Sequence, residues 1–157
     1  MRRTRGFTLV EVMLVVAIIG LLAALTYPSL MRARANAYAG AAVGSLRTAV
    51  NACETYRATH RVYPAGFAAL TAQPHPYLIE SFDTTATGRP YEGHQFFYVL
   101  GDGVQARPDM YYIYAVPAIP GVTGTRVFYV DETGVVRVGT FPCALTRAYM
   151  SGLPPIQ

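Results

Sequence analysis

The pattern of apolar and polar positions sets the N-terminal part of the chain apart from the rest. From Val12 to Met31 no residue carries a charge, and most side chains are Val, Leu, Ile, Ala or Met. A helix from Phe7 to Leu30 would be about 36 Å long at 1.5 Å per residue, which exceeds the roughly 30 Å hydrocarbon core of a bilayer. The pattern therefore predicts a membrane-spanning helix.

Beyond Pro28 the helical pattern continues to about Thr59, but only one face is apolar. The apolar positions recur every three or four residues, which is typical of a helix half-embedded in a globular head. These positions are Ala42, Leu46, Ala49, Cys53 and Tyr56. The opposite, polar face is marked by Arg47, Asn51, Glu54 and Arg61.

The remainder of the chain predicts an antiparallel sheet of three to four strands. Prolines and glycines between Val62 and Pro90 indicate a connecting region, with one short helix over Phe67–Ala72. Segments rich in Tyr, Phe, Val and Ile follow and predict strands. They are His94–Leu100, Met110–Val116, Arg126–Asp131 and Val135–Val138. The segment from Asp131 to Gly134 has the composition of a tight turn and is predicted to join the last two strands. The expected fold class is α+β, a long N-terminal helix packed against this sheet.

Charge adds an orientation to the predicted helix. The formal net charge is +4, and all 13 basic residues are arginines. Arg2, Arg3 and Arg5 precede the apolar run, and without these three only 10 arginines face 9 acidic residues. This balance argues against a nucleic-acid-binding surface. By the positive-inside rule, the N-terminal cluster stays in the cytoplasm and the C-terminal part lies outside it.

The apolar segment alone leaves other interpretations open. A secretory signal peptide has a shorter apolar region that ends at a small-residue cleavage site, whereas here helix-forming sequence continues from Ala33 to Ala42. An uncleaved signal anchor fits the composition equally well. That second alternative would make the chain a membrane-anchored protein whose head binds a ligand.

Glu11 favours a more specific function. A carboxylate in an apolar membrane segment costs about 2.5–3.5 kcal/mol on insertion scales, so such a residue is a candidate functional site. One natural partner is the α-amine that cleavage between Gly6 and Phe7 would create. The alternative is that Glu11, being near the helix start, reaches the lipid headgroups.

The segment from Arg5 to Glu11, which reads RGFTLVE, resembles the class III signal of type IV prepilins and type II secretion pseudopilins. The resemblance implies that a membrane-embedded prepilin peptidase cuts after Gly6 and N-methylates Phe7. It also implies that Glu11 pairs with the first-residue amine of a neighbouring subunit during assembly.

Gly20 and Pro28 match helix-weakening positions of the same family. Proline inside a helix costs about 3 kcal/mol and glycine up to about 1 kcal/mol. We therefore expect α-helical structure to kink or melt between these two residues, although membrane helices tolerate both residue types.

The resemblance implies a cleaved leader (1–6), a transmembrane and filament-core helix (7–31), a second half of the helix packed on the head (32–60), and a β-sheet head with a C-terminal tail (61–157). It implies a structural subunit of a type IV pilus or pilus-like filament, with a type II secretion pseudopilin as the alternative. The implied partners are prepilin peptidase, copies of itself or related pilins, an inner-membrane assembly platform, and membrane lipid before assembly. The prepilin would lie in the inner membrane with its head outside the cytoplasm. The mature protein would lie in an extracellular pilus or a periplasmic pseudopilus.

The sequence offers no catalytic constellation, and we expect no enzymatic activity, metal or cofactor. His60, His75 and His94 are scattered among loop and element-end positions, and each is expected to be solvated. Asp131 and Glu132 are adjacent on a turn and are also expected to be solvated, because no full set of oxygen ligands for calcium surrounds them. Binding of DNA, as in an uptake pilus, is disfavoured because the tyrosines alternate in strands and are explained by packing.

Cys53 and Cys143 are far apart in the sequence and lack C-x-x-C spacing. In an exported domain they could form a disulfide that ties the C-terminal tail to the helix, and this pairing is the expectation. The alternative is a buried free thiol at each position.

Overall fold

The computed structural model describes residues 7–72, 74–105 and 107–156. The chain divides into two compact units, Met1–Arg34 and Ala35–Gln157. Gly6 and the rest of the predicted leader lie outside the described residues.

A long helix, α1, spans Leu9–His60 and contributes residues to both units. Its end agrees with the prediction to within one residue. Helical structure includes both Gly20 and Pro28. Near the proline, the Thr26 hydroxyl donates to the carbonyls of Leu22 and Ala23 at 3.2 and 3.1 Å. Such back-bonding by threonine is common inside helices and does not replace the bond that Pro28 removes, whose acceptor would be the Ala24 carbonyl. Kinking or melting within an assembled filament stays a prediction.

The second unit contains a four-stranded antiparallel sheet in the order β1-β2-β3-β4. The strands are β1 (His94–Leu100), β2 (Tyr111–Pro117), β3 (Arg126–Asp131) and β4 (Arg137–Thr140). The short helices are α2 (Phe67–Thr71), α3 (Thr84–Thr87) and α4 (Arg147–Met150), with a 3-10 turn at Glu80–Phe82. The α+β fold class is confirmed. β1 and β3 have the predicted bounds, β2 is shifted by one residue, and β4 begins two residues later than predicted.

One face of the sheet packs against α1. The predicted apolar stripe is buried at Ala42, Leu46, Ala49 and Cys53, whereas Tyr56 is half-buried. From the sheet, alternate residues enter the same core, including Phe96, Tyr111, Ile113 and Phe128. Small alanines on α1 permit this packing because the large aromatic rings come from the strands.

The opposite face of the sheet is also covered, which the sequence did not predict. Tyr112, Val127 and Tyr129 point to this face and form a second buried cluster with Met150 of α4. Other residues of the C-terminal segment pack against it, namely Phe141, Cys143, Leu145 and Leu153. The C-terminal tail is therefore a second layer of the head.

The turn after β3 anchors this layer, which corrects the expectation that Asp131 and Glu132 are solvated. Asp131 is buried, and its carboxylate accepts hydrogen bonds from the Tyr129 hydroxyl at 3.2 Å and from the Thr133 backbone N–H at 3.0 Å. Glu132 forms a half-buried ion pair with Arg147 of α4. Arg147 also donates to the Tyr111 carbonyl at 3.2 Å.

The structure also corrects the predicted disulfide, because Cys53 and Cys143 are both free. Cys53 is buried in the cluster between α1 and the sheet, whereas Cys143 packs against the cluster on the other face. Packed layers lie about 10 Å apart, but bridged cysteines need Cα atoms within about 7 Å. The sheet therefore separates the two thiols.

Alkylation of the protein, unfolded without reductant, is expected to add two adducts per chain, one on Cys53 and one on Cys143. Intact mass measurement with and without prior reduction checks this result. Burial raises the pKa of the Cys53 thiol to about 12 and also raises that of Cys143, so both should label slowly in the folded protein at neutral pH. Adducts that appear only after reduction would instead show that the two cysteines form the disulfide.

Candidate functional site

The described part of the candidate site is the beginning of α1. Phe7 is 81% exposed, and the helix begins at Leu9. Thr8 precedes the helix, and its Oγ1 accepts a hydrogen bond from the Glu11 backbone N–H at 3.2 Å. The Thr8 carbonyl accepts from the Val12 N–H at 3.3 Å. Thr8 is therefore the N-cap residue of α1.

Sequence reasoning missed this cap, although the spacing Thr8-x-x-Glu11 is that of a capping box. This spacing alone would have predicted the cap from the sequence. The first turn of a helix favours a negative side chain by about 0.3–1 kcal/mol through the helix dipole, so Glu11 is locally well placed. Capping alone does not demand a charge, since glutamine serves at the same position of a capping box.

Glu11 is exposed and makes no ion pair within the described part of the chain. Its carboxylate is thus available to a partner outside the described residues or on another molecule. In low-dielectric surroundings a cation in contact with it would form a strong, charge-assisted hydrogen bond.

Around Glu11 the first unit presents an uninterrupted apolar surface. Every described side chain from Phe7 to Leu30 is exposed, including large groups such as Leu14, Ile18 and Leu22. Among the residues that the structure describes, α1 is the one helix long and apolar enough to cross a membrane, and none of the qualifying window is buried. Apolar exposure on this scale indicates a surface that lipid or other protein covers.

The predicted site residues are distributed over both units. Phe7 and Glu11 lie at the same end of α1, and Gly20 and Pro28 lie further along the helix in the first unit. Among residues 7–72, 74–105 and 107–156, no three His, Cys, Asp or Glu side chains are grouped so that they could hold a metal ion.

The histidine prediction is right for two residues and wrong for one. His60 and His75 are exposed, as expected, but His94 is fully buried. His94 opens β1, and the Phe128 ring of β3 lies 5.7 Å from its ring, centroid to centroid. The position of His94 at the end of a strand predicts exposure, but packing between neighbouring strands buries its side chain.

Comparison with known proteins reinforces the N-terminal signature. Residues 1–27 match the family described as the prokaryotic N-terminal methylation motif. The chain is 40% identical over 104 residues to the type II secretion system core protein G of Aeromonas hydrophila, a match that covers 58% of this chain and 73% of that protein.

Two further relatives match over shorter lengths. Identity to the type II secretion system core protein G of Vibrio cholerae is 39% over 77 residues, covering 47% of this chain and 53% of that protein. Identity to the type IV wide pilus major component PilA4 of Thermus thermophilus is 40% over 70 residues, covering 45% and 53% respectively. The chain thus spans about half the length of these two relatives.

A capped apolar helix that bears a methylation motif, followed by a helix-packed antiparallel sheet, defines the class of pilin-like, helix-anchored proteins. The chain belongs to the family of type IV pilins and type II secretion pseudopilins. This confirms the family inferred from the N-terminal segment. It is a family of structural subunits, not of enzymes.

Proposed function

We propose that the chain is a structural subunit of a pilus-like filament and assembles through the first part of α1. The observation that carries this proposal is Glu11, an exposed carboxylate in the first turn of an exposed apolar helix. Lateral packing of such helices would bury the apolar surface. A carboxylate at a fixed height on that surface would then select one axial offset between neighbouring subunits.

The partner of Glu11 in this proposal is the amine of Phe7 on an adjacent copy. Prepilin peptidase would cut after Gly6 and methylate the new N-terminus, which keeps its positive charge. Phe7 is exposed and precedes the helix, so its amine would be accessible to another molecule. Removing the leader would also remove three arginines that hold the N-terminus in the cytoplasm.

Before assembly the protein would be anchored in the inner membrane by α1, with the head outside the cytoplasm. An assembly platform in that membrane would extract subunits into the filament. The uncharged run from Val12 to Met31 supports this proposal because lipid and the filament interior both accept apolar side chains.

Two machines are candidates, a type IV pilus and a type II secretion pseudopilus. The match to the Aeromonas core protein G covers 58% of this chain, so it reaches beyond the 52 residues of α1 into the rest of the head. The match to the Thermus pilus component covers 45%. The Aeromonas match is thus the observation that supports a pseudopilus as the second candidate beside the pilus, since the Vibrio core protein G match and the Thermus match cover similar shares of the chain, 47% and 45%.

Deletion of the gene in its native host distinguishes the two machines. Loss of surface filaments in electron micrographs, with normal protein secretion, is expected for a pilus subunit. Loss of exported proteins from the medium, without loss of surface filaments, is expected for a pseudopilin. Restoration by the intact gene is the control, and a deletion that leaves filaments and secretion unchanged would refute both.

A further inference from the structure

His94 presents an unsatisfied polar atom inside the head. Its side chain is fully buried, and Nδ1 lies 3.4 Å from the Glu92 carbonyl oxygen. Nε2, on the other side of the ring, has no hydrogen-bond partner among the described protein groups. Buried polar atoms in folded proteins almost always bond to protein or to ordered water, so this atom requires an explanation.

A cavity of about 100 Å³ lies beside this atom. It is lined by His94, by the α1 residues Ala35, Asn36 and Ala39, and by Gly124, Thr125 and Arg126. A Cβ built on Gly124 would lie 4.0 Å from Nε2, so Nε2 lies next to the chain before β3. A bound water needs only about 10–15 Å³ of such space, so the cavity has room for at least one water.

We propose that this cavity is a water-binding site in which a water donates to His94 Nε2 and bonds to Asn36 and to the 124–126 segment. Asn36 and Thr125 are exposed, so the cavity is open to solvent, and the two residues offer an amide and a hydroxyl as further partners for a bound water. The bridge would link the head part of α1 to β1 and β3 through hydrogen bonds.

The polarity of the histidine favours water over an anion. If Nδ1–H donates to the Glu92 carbonyl, Nε2 carries a lone pair and accepts a hydrogen bond, whereas an anion would need a donor there. Burial lowers the pKa of His94, which favours this neutral form. Of the charged residues nearby, Arg126 lines the cavity, and the Glu92 carboxylate accepts a hydrogen bond from the Ser45 hydroxyl at 2.8 Å.

A pH dependence follows from this arrangement. The unfolded chain binds the histidine proton at a higher pH than the folded head does, because the folded pKa is lowered. Neutral His94 therefore contributes fully to the free energy of unfolding above pH 6.5, which is about the pKa of histidine in the unfolded chain. That contribution is lost as the pH falls from there towards the pKa of His94 in the folded head. The variant His94→Gln, which stays neutral, should lose this part of the pH dependence.

Asn36→Ala tests the bridge, with Asn51→Ala as a matched control. Both asparagines are exposed positions on α1, so the gain in helix propensity is the same, but only Asn36 lines the cavity. Urea unfolding of the full chain in detergent micelles, followed by near-UV circular dichroism at pH 7.5, gives the folding equilibrium constant. We expect Asn36→Ala to lower it about fivefold relative to Asn51→Ala. Equal constants would overturn the bridge.

Nitrogen NMR of the full chain, labelled at histidine, tests the water directly without any substitution at the site. At pH 7.5 we expect His94 Nε2 to be unprotonated and to show magnetisation transfer from a bound water. A protonated Nε2, or no transfer from water, would overturn the proposal. A rise in stability on adding inorganic phosphate at constant ionic strength would replace it with an anion site.

Discussion

Glu11→Gln is expected to abolish filament assembly while leaving the head folded. Removing one member of a buried ion pair costs about 3–5 kcal/mol, which corresponds to about a hundredfold or more per subunit contact. A filament repeats that contact at every subunit, so the loss is multiplied along its length. The amount of protein in filaments sheared from the cell surface, or from an assembly reaction, measures the effect.

Thr8→Ala is the matched control for this prediction. It removes the Oγ1 that accepts from the Glu11 N–H, and so costs about 1 kcal/mol of helix-end stability, but it keeps the carboxylate. Glutamine at position 11 keeps the capping geometry and removes the charge. If Thr8→Ala prevents assembly and Glu11→Gln permits it, Glu11 acts through the cap and the proposed pair is wrong.

Gly6→Ala is expected to leave the chain unprocessed, with residues 1–6 still attached. A peptidase must bring its catalytic groups close to the scissile carbonyl, and glycine is the residue that permits the closest approach to the backbone. Intact mass of the membrane-extracted protein distinguishes the precursor from a chain that begins at methylated Phe7. Because an uncleaved chain has no free amine at Phe7, its assembly should fail as well.

Gly20→Ala is the corresponding control within α1. A Cβ at Gly20 meets no atom within 4 Å, so the substitution adds no clash within the chain and favours helix. Processing should therefore proceed as in the unmodified protein. Full cleavage and methylation of Gly6→Ala would contradict the proposed cleavage position.

The elements that follow from local periodicity could be predicted from the sequence. The bounds of β1 and β3 and the buried stripe from Ala42 to Cys53 each repeat a pattern within a few residues of chain. The start of β4 was placed too early because Val135 and Val136 are as apolar as a strand, although Val136 is instead buried in the core beside the turn.

Features that depend on distant parts of the chain could not be predicted in this way. The C-terminal segment looks like a tail in sequence, but Met150 and the Glu132–Arg147 ion pair fix it over the second face of the sheet. Because Cys143 lies in that layer, the sheet separates it from Cys53, which no sequence spacing reveals. The burial of His94 likewise depends on its position between strands.

The candidate assembly site could largely be read from the sequence because it is contiguous. Gly6, Phe7 and Glu11 lie within six residues of chain, in a motif that the family match supports. The sequence interpretation of Glu11 considers the α-amine and the lipid headgroups but not the start of the helix, so it omits the cap at Thr8. A carboxylate three residues after a threonine also has a local function in starting the helix.

A side-chain-resolution structure of the assembled filament tests the central claim most directly. The account predicts that each Glu11 carboxylate lies within about 4 Å of the methylated Phe7 amine of a neighbouring copy, with the apolar surface of α1 buried between subunits. The same map shows whether helix persists between Gly20 and Pro28. A filament in which Glu11 faces solvent, or pairs only within its own chain, would contradict the account.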